Sequence, residues 1–240
     1  MNKTAIEYAT HPCNAIVGCS ANCHNCWAKA ILRRFPHGCP DCAAFRPHFH
    51  PEVLEKLAVR TKKPAIVLMN YTGDMFGPEV PQAWRDACFE AMAAAPWHRY
   101  LLLTKQPQNI TYADQRQFGT LRKWVEDILI GVSADTTEQA HMRLSVLQRT
   151  GLRANIWLSM EPLREPLLPS VITHFVNWLV VGPETPLRTA RVRPPLAWYE
   201  TIRDACAERG VPVWFKTAAL KQYPEADLPQ EWPPELRGER

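Results

Sequence analysis

The sequence has no apolar run of the roughly 18 residues or more that a membrane-spanning helix requires. Its first ten residues hold only scattered apolar side chains, so the continuous apolar segment of a secretory signal is missing as well. We therefore expect a soluble, cytoplasmic protein that has no membrane as a partner.

Phosphate-binding glycine motifs are also missing. Neither G-x-G-x-x-G nor G-x-x-x-x-G-K-[ST] follows any predicted strand, which argues against a dinucleotide-binding or P-loop enzyme. A strong excess of one charge is absent too, because 28 Lys and Arg stand against 24 Asp and Glu, for a net charge of +4. With 46% hydrophobic and 22% charged residues, the composition is that of a folded protein, and disorder of the whole chain is excluded.

Cysteine, by contrast, is abundant, with eight residues in the chain. A reducing compartment keeps thiols free, so a metal site or catalysis explains them better than a disulfide framework. Six of them lie between Cys13 and Cys42. The other two, Cys88 and Cys206, lie on the apolar stripes of predicted helices, and we expect them to be core residues.

Short apolar runs alternate with amphipathic segments after residue 64. The runs are apolar on both faces, which is typical of parallel strands covered by helices. They comprise residues 65–71, 99–104, 127–133, 155–160, 178–182 and 211–215, with a further strand expected at 14–17 and helices expected at 27–34, 81–95 and 194–209.

This alternation predicts one α/β domain over residues 1–240. The expected architecture is a (β/α) barrel, partial or full and TIM-like, and an open doubly wound sheet is the alternative. A cysteine-rich loop region at 13–50 precedes the regular repeats, and a proline-rich tail follows at 224–240.

Polar residues follow nearly every predicted strand. In wound α/β folds, chemistry gathers at the carboxyl ends of the strands. The alternative is that such residues cap helices or lie in solvated loops. The candidates are Thr72, Gly73, Asp74, Thr104, Lys105, Ser133, Glu161, Glu184 and Lys216.

Cys19, Cys23 and Cys26 form a C-x3-C-x2-C pattern between a predicted strand and a predicted helix. Three thiolates this close in sequence can converge on one metal centre, and three protein ligands leave one position open for chemistry. Soft thiolates favour zinc, copper(I) or an iron–sulfur cluster. A [4Fe–4S] cluster held by three cysteines has one iron open to an outside ligand.

The pattern, followed by a helix and a run of βα units, resembles the radical S-adenosylmethionine superfamily. In that superfamily the open iron binds the methionine part of the cofactor, which is cleaved reductively to a 5′-deoxyadenosyl radical. The sequence departs from the usual pattern at Asn25, where the superfamily usually has an aromatic residue, and Trp27 follows the third cysteine instead.

A narrower resemblance covers most of the chain. It is to a phage-associated bacterial family of three-cysteine barrel proteins, catalogued chiefly as a domain of unknown function, whose members often have a longer loop between the first two cysteines. The resemblance implies a (β/α) barrel and an iron–sulfur cluster but no substrate. The matching segments are CNAIVGC (13–19), CHNCWA (23–28), FHPE (49–52), GDMF (73–76), LTKQP (103–107), IGVS (130–133), SMEPL (159–163), VVGPE (180–184) and FK (215–216).

The superfamily resemblance also implies residue roles. Cys19, Cys23 and Cys26 would hold the [4Fe–4S] cluster, and the turn after the second strand would hold the amino group of S-adenosylmethionine. The implied cofactor-binding residues are Tyr71, Thr72, Gly73, Asp74, Ser133 and Glu161, and the candidate catalytic residues are Asp74, Lys105, Glu161, Glu184 and Lys216. Of these, the two lysines would bind a carboxylate or phosphate.

Cys39 and Cys42 form a second C-x2-C pair, the commonest half of a zinc or iron–sulfur site. A complete site needs two further ligands, and the nearby candidates are Cys13, His37, His48 and His50. In an extended segment His48 and His50 would face the same side. A structural metal, an auxiliary cluster and a reduced pair without metal remain open, and His24 is expected to be solvated or to support a ligand.

The leading hypothesis is a radical S-adenosylmethionine enzyme with an electron donor such as flavodoxin or ferredoxin. A nucleic-acid substrate, in base modification or repair, is suggested by the phage association and by nine basic against four acidic residues in positions 1–63, including the pairs at 33–34 and 62–63. The alternative is a non-catalytic or redox-sensing iron–sulfur or zinc protein. A zinc hydrolase would need histidines at the strand ends, which carry none.

Overall fold

The computed structural model describes residues 3–24, 26–59, 64–123, 125, 127–152, 154–185 and 190–237. Asn25, Lys62, Lys63 and the last three residues of the proline-rich tail lie outside the described residues. The chain divides into two compact units, the first ending at Ile128 and the second beginning at Leu129. No helix in the described ranges has both the length and the apolar character needed to cross a membrane.

The first unit contains a parallel sheet, a small antiparallel ladder and four helices. Its strands are β1 (His11–Cys13), β2 (Ile16–Val17), β3 (His48–Phe49), β4 (Ile66–Met69) and β5 (Arg99–Thr104). Its helices are α1 (Trp27–Arg34), α2 (Pro40–Ala44), α3 (Gln82–Ala94) and α4 (Tyr112–Leu121), with 3-10 turns at Pro51–Ala58 and Pro107–Asn109. Strands β1, β4 and β5 pair in parallel in that order, and β2 pairs antiparallel with β3.

The second unit is built on a parallel sheet of β6 (Ile128–Ala134), β7 (Asn155–Met160), β8 (Trp178–Val181) and β9 (Val213–Phe215), in that order. Its helices are α5 (Thr137–Arg149), α6 (Leu196–Arg209) and α7 (Thr217–Gln222), with 3-10 turns at Pro169–Val171 and Pro234–Leu236. All residues of β4, β6, β8 and β9 are buried, as strands covered on both faces must be.

The α/β class and the parallel strands are therefore confirmed. A full TIM-like barrel is not, because it needs eight parallel strands and the described residues form seven. Cys88 on α3 and Cys206 on α6 are both fully buried, which confirms that they are core residues.

The strand expected at 14–17 is wrong in its position. The parallel strand is β1, three residues earlier, and Ile16 and Val17 belong instead to the antiparallel pair. Pro12 lies in β1, at the end of the strand order, where a missing N–H costs the ladder little. The chain then leaves the sheet, and the side-chain oxygen of Asn70 accepts from Ile16 N at 2.9 Å.

Candidate metal centres

The three-cysteine loop connects β2 to α1. Cys26 is the N-cap of α1, and its Sγ accepts from Lys29 N at 3.4 Å. Cys19 Sγ accepts from Ala21 N at 3.3 Å. Cys19 and Cys26 are half-buried and Cys23 is exposed, and all three are free thiols.

The three side chains line one cavity of about 340 Å³, together with Lys29 and Phe45. That volume is roughly ten times the share of one water molecule in the liquid, so it can hold more than a single ion. Burial raises the pKa of Cys19 to about 11, so a metal that binds its thiolate must displace the proton. An all-thiolate set of three, lining a cavity of this size, fits an iron–sulfur cluster with an open iron.

The turn after β4 lies directly against the start of this loop. Gly18 N donates to Thr72 O at 3.1 Å, and Gly18 pairs with Gly73 in an isolated parallel bridge. A Cβ on Gly73 would fall 2.8 Å from Ile16 O and 3.0 Å from Gly18 O. Packing of the protein backbone therefore already explains the glycine, without a ligand.

Asp74 is buried inside a hydrogen-bond network. Its carboxylate accepts from Thr104 Oγ1 at 2.7 Å, from Lys105 N at 2.9 Å and from Phe76 N at 3.0 Å. Burial raises the pKa of Asp74, and these hydrogen bonds oppose the shift. With three acceptor positions filled, its carboxylate holds the turn after β4 against the end of β5.

Tyr71 and Thr72 offer more to a ligand than Asp74 does. Tyr71 stacks on Trp27, with ring centroids 5.0 Å apart and an interplanar angle of 26°, which ties the turn to the first residue of α1. Thr72 is 8% exposed, and within the described part of the chain its buried Oγ1 has no hydrogen-bond partner. Such an unsatisfied buried hydroxyl needs a reason, and a bound cofactor would supply one.

The remaining candidates lie in the second unit at the carboxyl ends of its strands. Glu161 accepts from Lys216 Nζ at 2.8 Å and from Ser159 Oγ at 3.1 Å. Glu184 is buried and accepts from Arg191 N at 3.2 Å. Ser133 is buried in β6, and its carbonyl accepts from Arg143. The structure therefore brings Glu161 and Lys216 together and leaves Glu184 with a separate partner.

In the structure, two histidines lie beside the second cysteine pair. Cys39, Cys42, His48 and His50 place their ligand atoms within 4.8 Å of one another, and we call these four residues the Cys2His2 site. Of the other candidates, Cys13 is buried in β1, and its Sγ lies 4.0 Å from Val53 O. His24 and His37 are exposed.

Several residues that position Asp74, Glu161 and His48 are not evident from the sequence. It identifies Thr104 only as a strand-end residue and does not single out Ser159 or Arg46. Thr104 donates to Asp74, Ser159 donates to Glu161, and the Arg46 carbonyl contacts His48 Nδ1 at 2.7 Å. A hydroxyl at the end of a strand is the available signal for the first two, whereas a backbone carbonyl leaves no signal in a sequence.

Comparisons with known proteins give a family and a fold. The sequence model of a family described as "Protein of unknown function (DUF5131)" matches residues 3–226. No curated protein matches. Among solved structures, "Spore photoproduct lyase complexed with dinucleoside spore photoproduct" is similar with a TM-score of 0.61 at 12% identity, over 89% of this chain and 79% of that one. At that identity the likeness shows the fold alone.

Proposed function

Because the chain belongs to the DUF5131 family, whose function is unknown, we propose a function from its own site: that of a radical S-adenosylmethionine enzyme. The observation that carries the proposal is the cavity lined by Cys19, Cys23 and Cys26. A [4Fe–4S] cluster held there by three thiolates would keep one iron open to the cofactor. The fold supports it, since spore photoproduct lyase is a radical S-adenosylmethionine enzyme.

In this proposal the three cysteines hold a [4Fe–4S] cluster and the turn at Tyr71–Gly73 holds S-adenosylmethionine. When bound and reduced by one electron, that cofactor supplies methionine and a 5′-deoxyadenosyl radical. The residues of the chain bind and orient it, because the cofactor carries the hard chemistry. Thr72 Oγ1 is the buried hydroxyl free to bond it, and Asp74 acts through Thr104 and Lys105 as a positioning residue.

The test is anaerobic reconstitution with iron and sulfide, followed by electron paramagnetic resonance of the dithionite-reduced protein with and without S-adenosylmethionine. We expect a [4Fe–4S]⁺ signal that changes on adding the cofactor, and formation of 5′-deoxyadenosine. Cys23→Ala should lose the iron, and Cys88→Ala, in the core, should keep it. Equal loss of iron in both variants would contradict the assignment of the cluster ligands.

Thr72→Val separates cofactor binding from cluster assembly. Valine keeps the branched shape, and the hydroxyl it removes has no partner within the described residues. We therefore expect full iron content and a weakened response of the signal to S-adenosylmethionine. A wild-type signal that ignores the cofactor would favour the alternative, a redox-sensing or structural iron–sulfur protein, which the packing role of Gly73 also fits.

We propose a nucleic acid as the substrate class. The neighbouring structure holds a dinucleoside photoproduct. In this chain, α1 leaves Trp27, Ile31 and Phe35 about half exposed, and the Arg34 guanidinium lies 5.1 Å from the Phe35 ring centroid. Exposed aromatics beside arginines are how proteins hold single strands, by stacking and by phosphate contacts.

Binding of a short fluorescent single-stranded DNA at several salt concentrations tests this substrate class. Replacing Arg33 and Arg34 by Gln should weaken binding and lower the salt dependence, because each phosphate contact releases counterions. The control is Arg122→Gln together with Arg116→Gln, two arginines of α4 and its C-cap. No difference between the two double variants would remove α1 from the interface.

The electron donor is proposed to be an acidic protein such as flavodoxin or ferredoxin. Cys23 opens on its outer side to a second cavity of about 440 Å³, which Lys29 and Arg33 line as well. Positive groups around the exposed cluster ligand would steer a negatively charged partner. Reduction of the cluster by flavodoxin should slow with rising salt, and a rate independent of salt would contradict this.

A further inference from the structure

The Cys2His2 site lies outside the proposed cofactor site and needs its own explanation. Cys42 Sγ lies 3.3 Å from His48 Nε2 and 3.6 Å from His50 Nε2, and Cys39 Sγ lies 3.5 Å from His48 Nε2. We propose that Cys39, Cys42, His48 and His50 bind one structural zinc ion. The inference does not depend on the radical-enzyme proposal.

The sulfur–nitrogen distances are those around a single tetrahedral ion, and the two Nε2 atoms, 2.8 Å apart, would separate to about 3.3 Å on binding it. With Zn–S near 2.3 Å and Zn–N near 2.0 Å, tetrahedral geometry sets sulfur and nitrogen about 3.6 Å apart. The three sulfur–nitrogen separations above agree with this value. In a Rieske-type [2Fe–2S] centre the cysteines and histidines bind different irons, so sulfur and nitrogen would be further apart than they are here.

Hydrogen bonds on the far side of each imidazole orient its ligand nitrogen. His48 Nδ1 lies 2.7 Å from Arg46 O, and His50 Nδ1 lies 2.9 Å from Glu52 Oε1. A carbonyl and a carboxylate only accept, so each Nδ1 donates its proton outward, and Nε2 is the nitrogen of each ring that faces the two sulfurs and is available to a metal. This outer hydrogen bond is the usual support of a metal-binding histidine.

Two inward lone pairs cannot lie side by side without a positive charge between them. The Nε2 atoms of His48 and His50 are 2.8 Å apart, and Cys42 Sγ faces both. Without a metal, each of these contacts would need its own proton, one between the nitrogens and one from each thiol. A cation shared by all four atoms satisfies every one of them.

The donor set identifies the metal and its role. Two thiolates and two imidazoles in tetrahedral array select zinc. Four protein ligands fill the coordination shell, so no position is left for substrate or water, as in structural rather than catalytic sites. The histidines are two residues apart, because β3 is extended and places alternate side chains on one face.

The ion would fasten α2 to β3, and through β3 the start of the three-cysteine loop. Val17 pairs with His48 across β2 and β3. Gly18 packs against the carbonyl of Arg46, the residue that orients His48. Cys42 also belongs to the apolar cluster against which Cys19 and Cys26 pack. The zinc ion would therefore stabilise the start of the three-cysteine loop without binding any of its three cysteines.

The first experiment measures zinc and iron in the full chain by mass spectrometry after purification. We expect one zinc per chain in the wild type, and the same in the variant with Cys19, Cys23 and Cys26 all replaced by Ser. Cys39→Ser and His50→Asn should lose zinc, whereas His37→Ala, an exposed neighbouring histidine, should keep it. Loss of zinc from the triple variant would overturn the proposal by moving the metal to the three-cysteine loop.

A milder pair of variants covers the case in which ligand variants fail to fold. Glu52→Gln removes the carboxylate partner of His50, and Glu55→Gln changes an exposed glutamate on the same 3-10 turn. With zinc alone as the titrant against a competing chelator, Glu52→Gln should bind about tenfold more weakly, and Glu55→Gln should match the wild type. Equal affinities would contradict the role of Glu52 in orienting His50.

X-ray absorption of the wild-type zinc needs no variant. The expected first shell holds two sulfurs near 2.3 Å and two nitrogens near 2.0 Å. Cobalt substituted for zinc should show the visible bands of a tetrahedral thiolate site. A first shell of oxygen and nitrogen, or a protein that holds no zinc under any of these conditions, would overturn the site.

Discussion

Gly18 links the two proposed metal sites, because it lies at the start of the three-cysteine loop and packs against the carbonyl of Arg46, which contacts His48. Its φ is +83°, and a Cβ would fall 2.2 Å from the carbonyl oxygen of Arg46. Gly18→Ala combines a left-handed backbone with a steric clash, so the free energy of unfolding should fall by about 3 kcal/mol or more. Urea denaturation measures this loss in the free energy of unfolding. Gly151→Ala, at φ +69° with no atom within 4 Å, should lose only about 1 kcal/mol, and equal losses would refute the clash.

His98 makes stability depend on pH. It is 2% exposed, and burial lowers its pKa from the usual 6.5. Below pH 6.5 the unfolded chain therefore binds a proton that the native chain does not, and the free energy of unfolding falls as the pH drops toward the folded pKa. The effect is at most on the order of 1 kcal/mol per pH unit.

The measurement compares urea unfolding at two pH values, one near neutral and one near pH about 5, which lies below the ordinary pKa of a histidine in the unfolded chain. His98→Asn should lose less stability on acidification than the wild type, and His141→Asn, an exposed histidine on α5, should lose as much as the wild type. Both variants keep every proposed metal ligand, so acid release of metal cancels in the comparison. Identical pH dependence in all three proteins would exclude His98 as the cause.

Helices α3 and α4 are joined by a buried ion pair. Arg85 NH1 lies 2.7 Å from Asp114 Oδ2, with side chains 8% and 1% exposed. Asp114 also completes the capping box of α4 with Thr111. Arg85→Met would leave a buried carboxylate without its counter-charge, and the free energy of unfolding should fall by about 3 to 5 kcal/mol.

Arg203→Met is the control for this pair, since Arg203 and Asp204 on α6 form an exposed pair. Exposed pairs contribute about 1 kcal/mol or less. Urea unfolding of both variants measures how much free energy of unfolding each one loses. A loss at Arg85 no larger than at Arg203 would mean that Asp114 is satisfied by Gln82 and Thr111 alone.

Element by element, the sequence predicted the regular parts of the fold and missed the short ones. Strands β5 and β7 and helix α1 have the expected bounds. A continuous apolar run marks each strand, and an amphipathic stripe marks the helix. The ladder of β2 and β3 has two residues in each strand, which is too short for any period to show. Pairing of two strands that lie so far apart in the sequence depends on tertiary contacts. The same is true of the approach of Cys39 and Cys42 to His48 and His50.

At the scale of the whole molecule, we expect the three-cysteine loop to contribute little to the stability of the fold. Most of the largest fully buried side chains lie on strands and helices, among them Trp157, Trp178 and Tyr199, whereas Cys23 is exposed and its two partners are half-buried. The variant with Cys19, Cys23 and Cys26 replaced by Ser should therefore keep the circular dichroism of the wild type, unfold within about 1 kcal/mol of the iron-free wild type, and bind no iron.

Cys88→Ala provides the converse. Cys88 is fully buried on α3, and its Sγ accepts from Asn70 Nδ2 at 3.5 Å, so its loss should cost about 1 kcal/mol or more with iron content unchanged. The two variants together separate folding from cofactor chemistry. If the triple variant is unfolded while Cys88→Ala is folded, the chain needs the cluster to fold, and iron content would report stability instead of ligand identity. If the triple variant folds as expected, any activity that it lacks can be assigned to the site formed by the three cysteines.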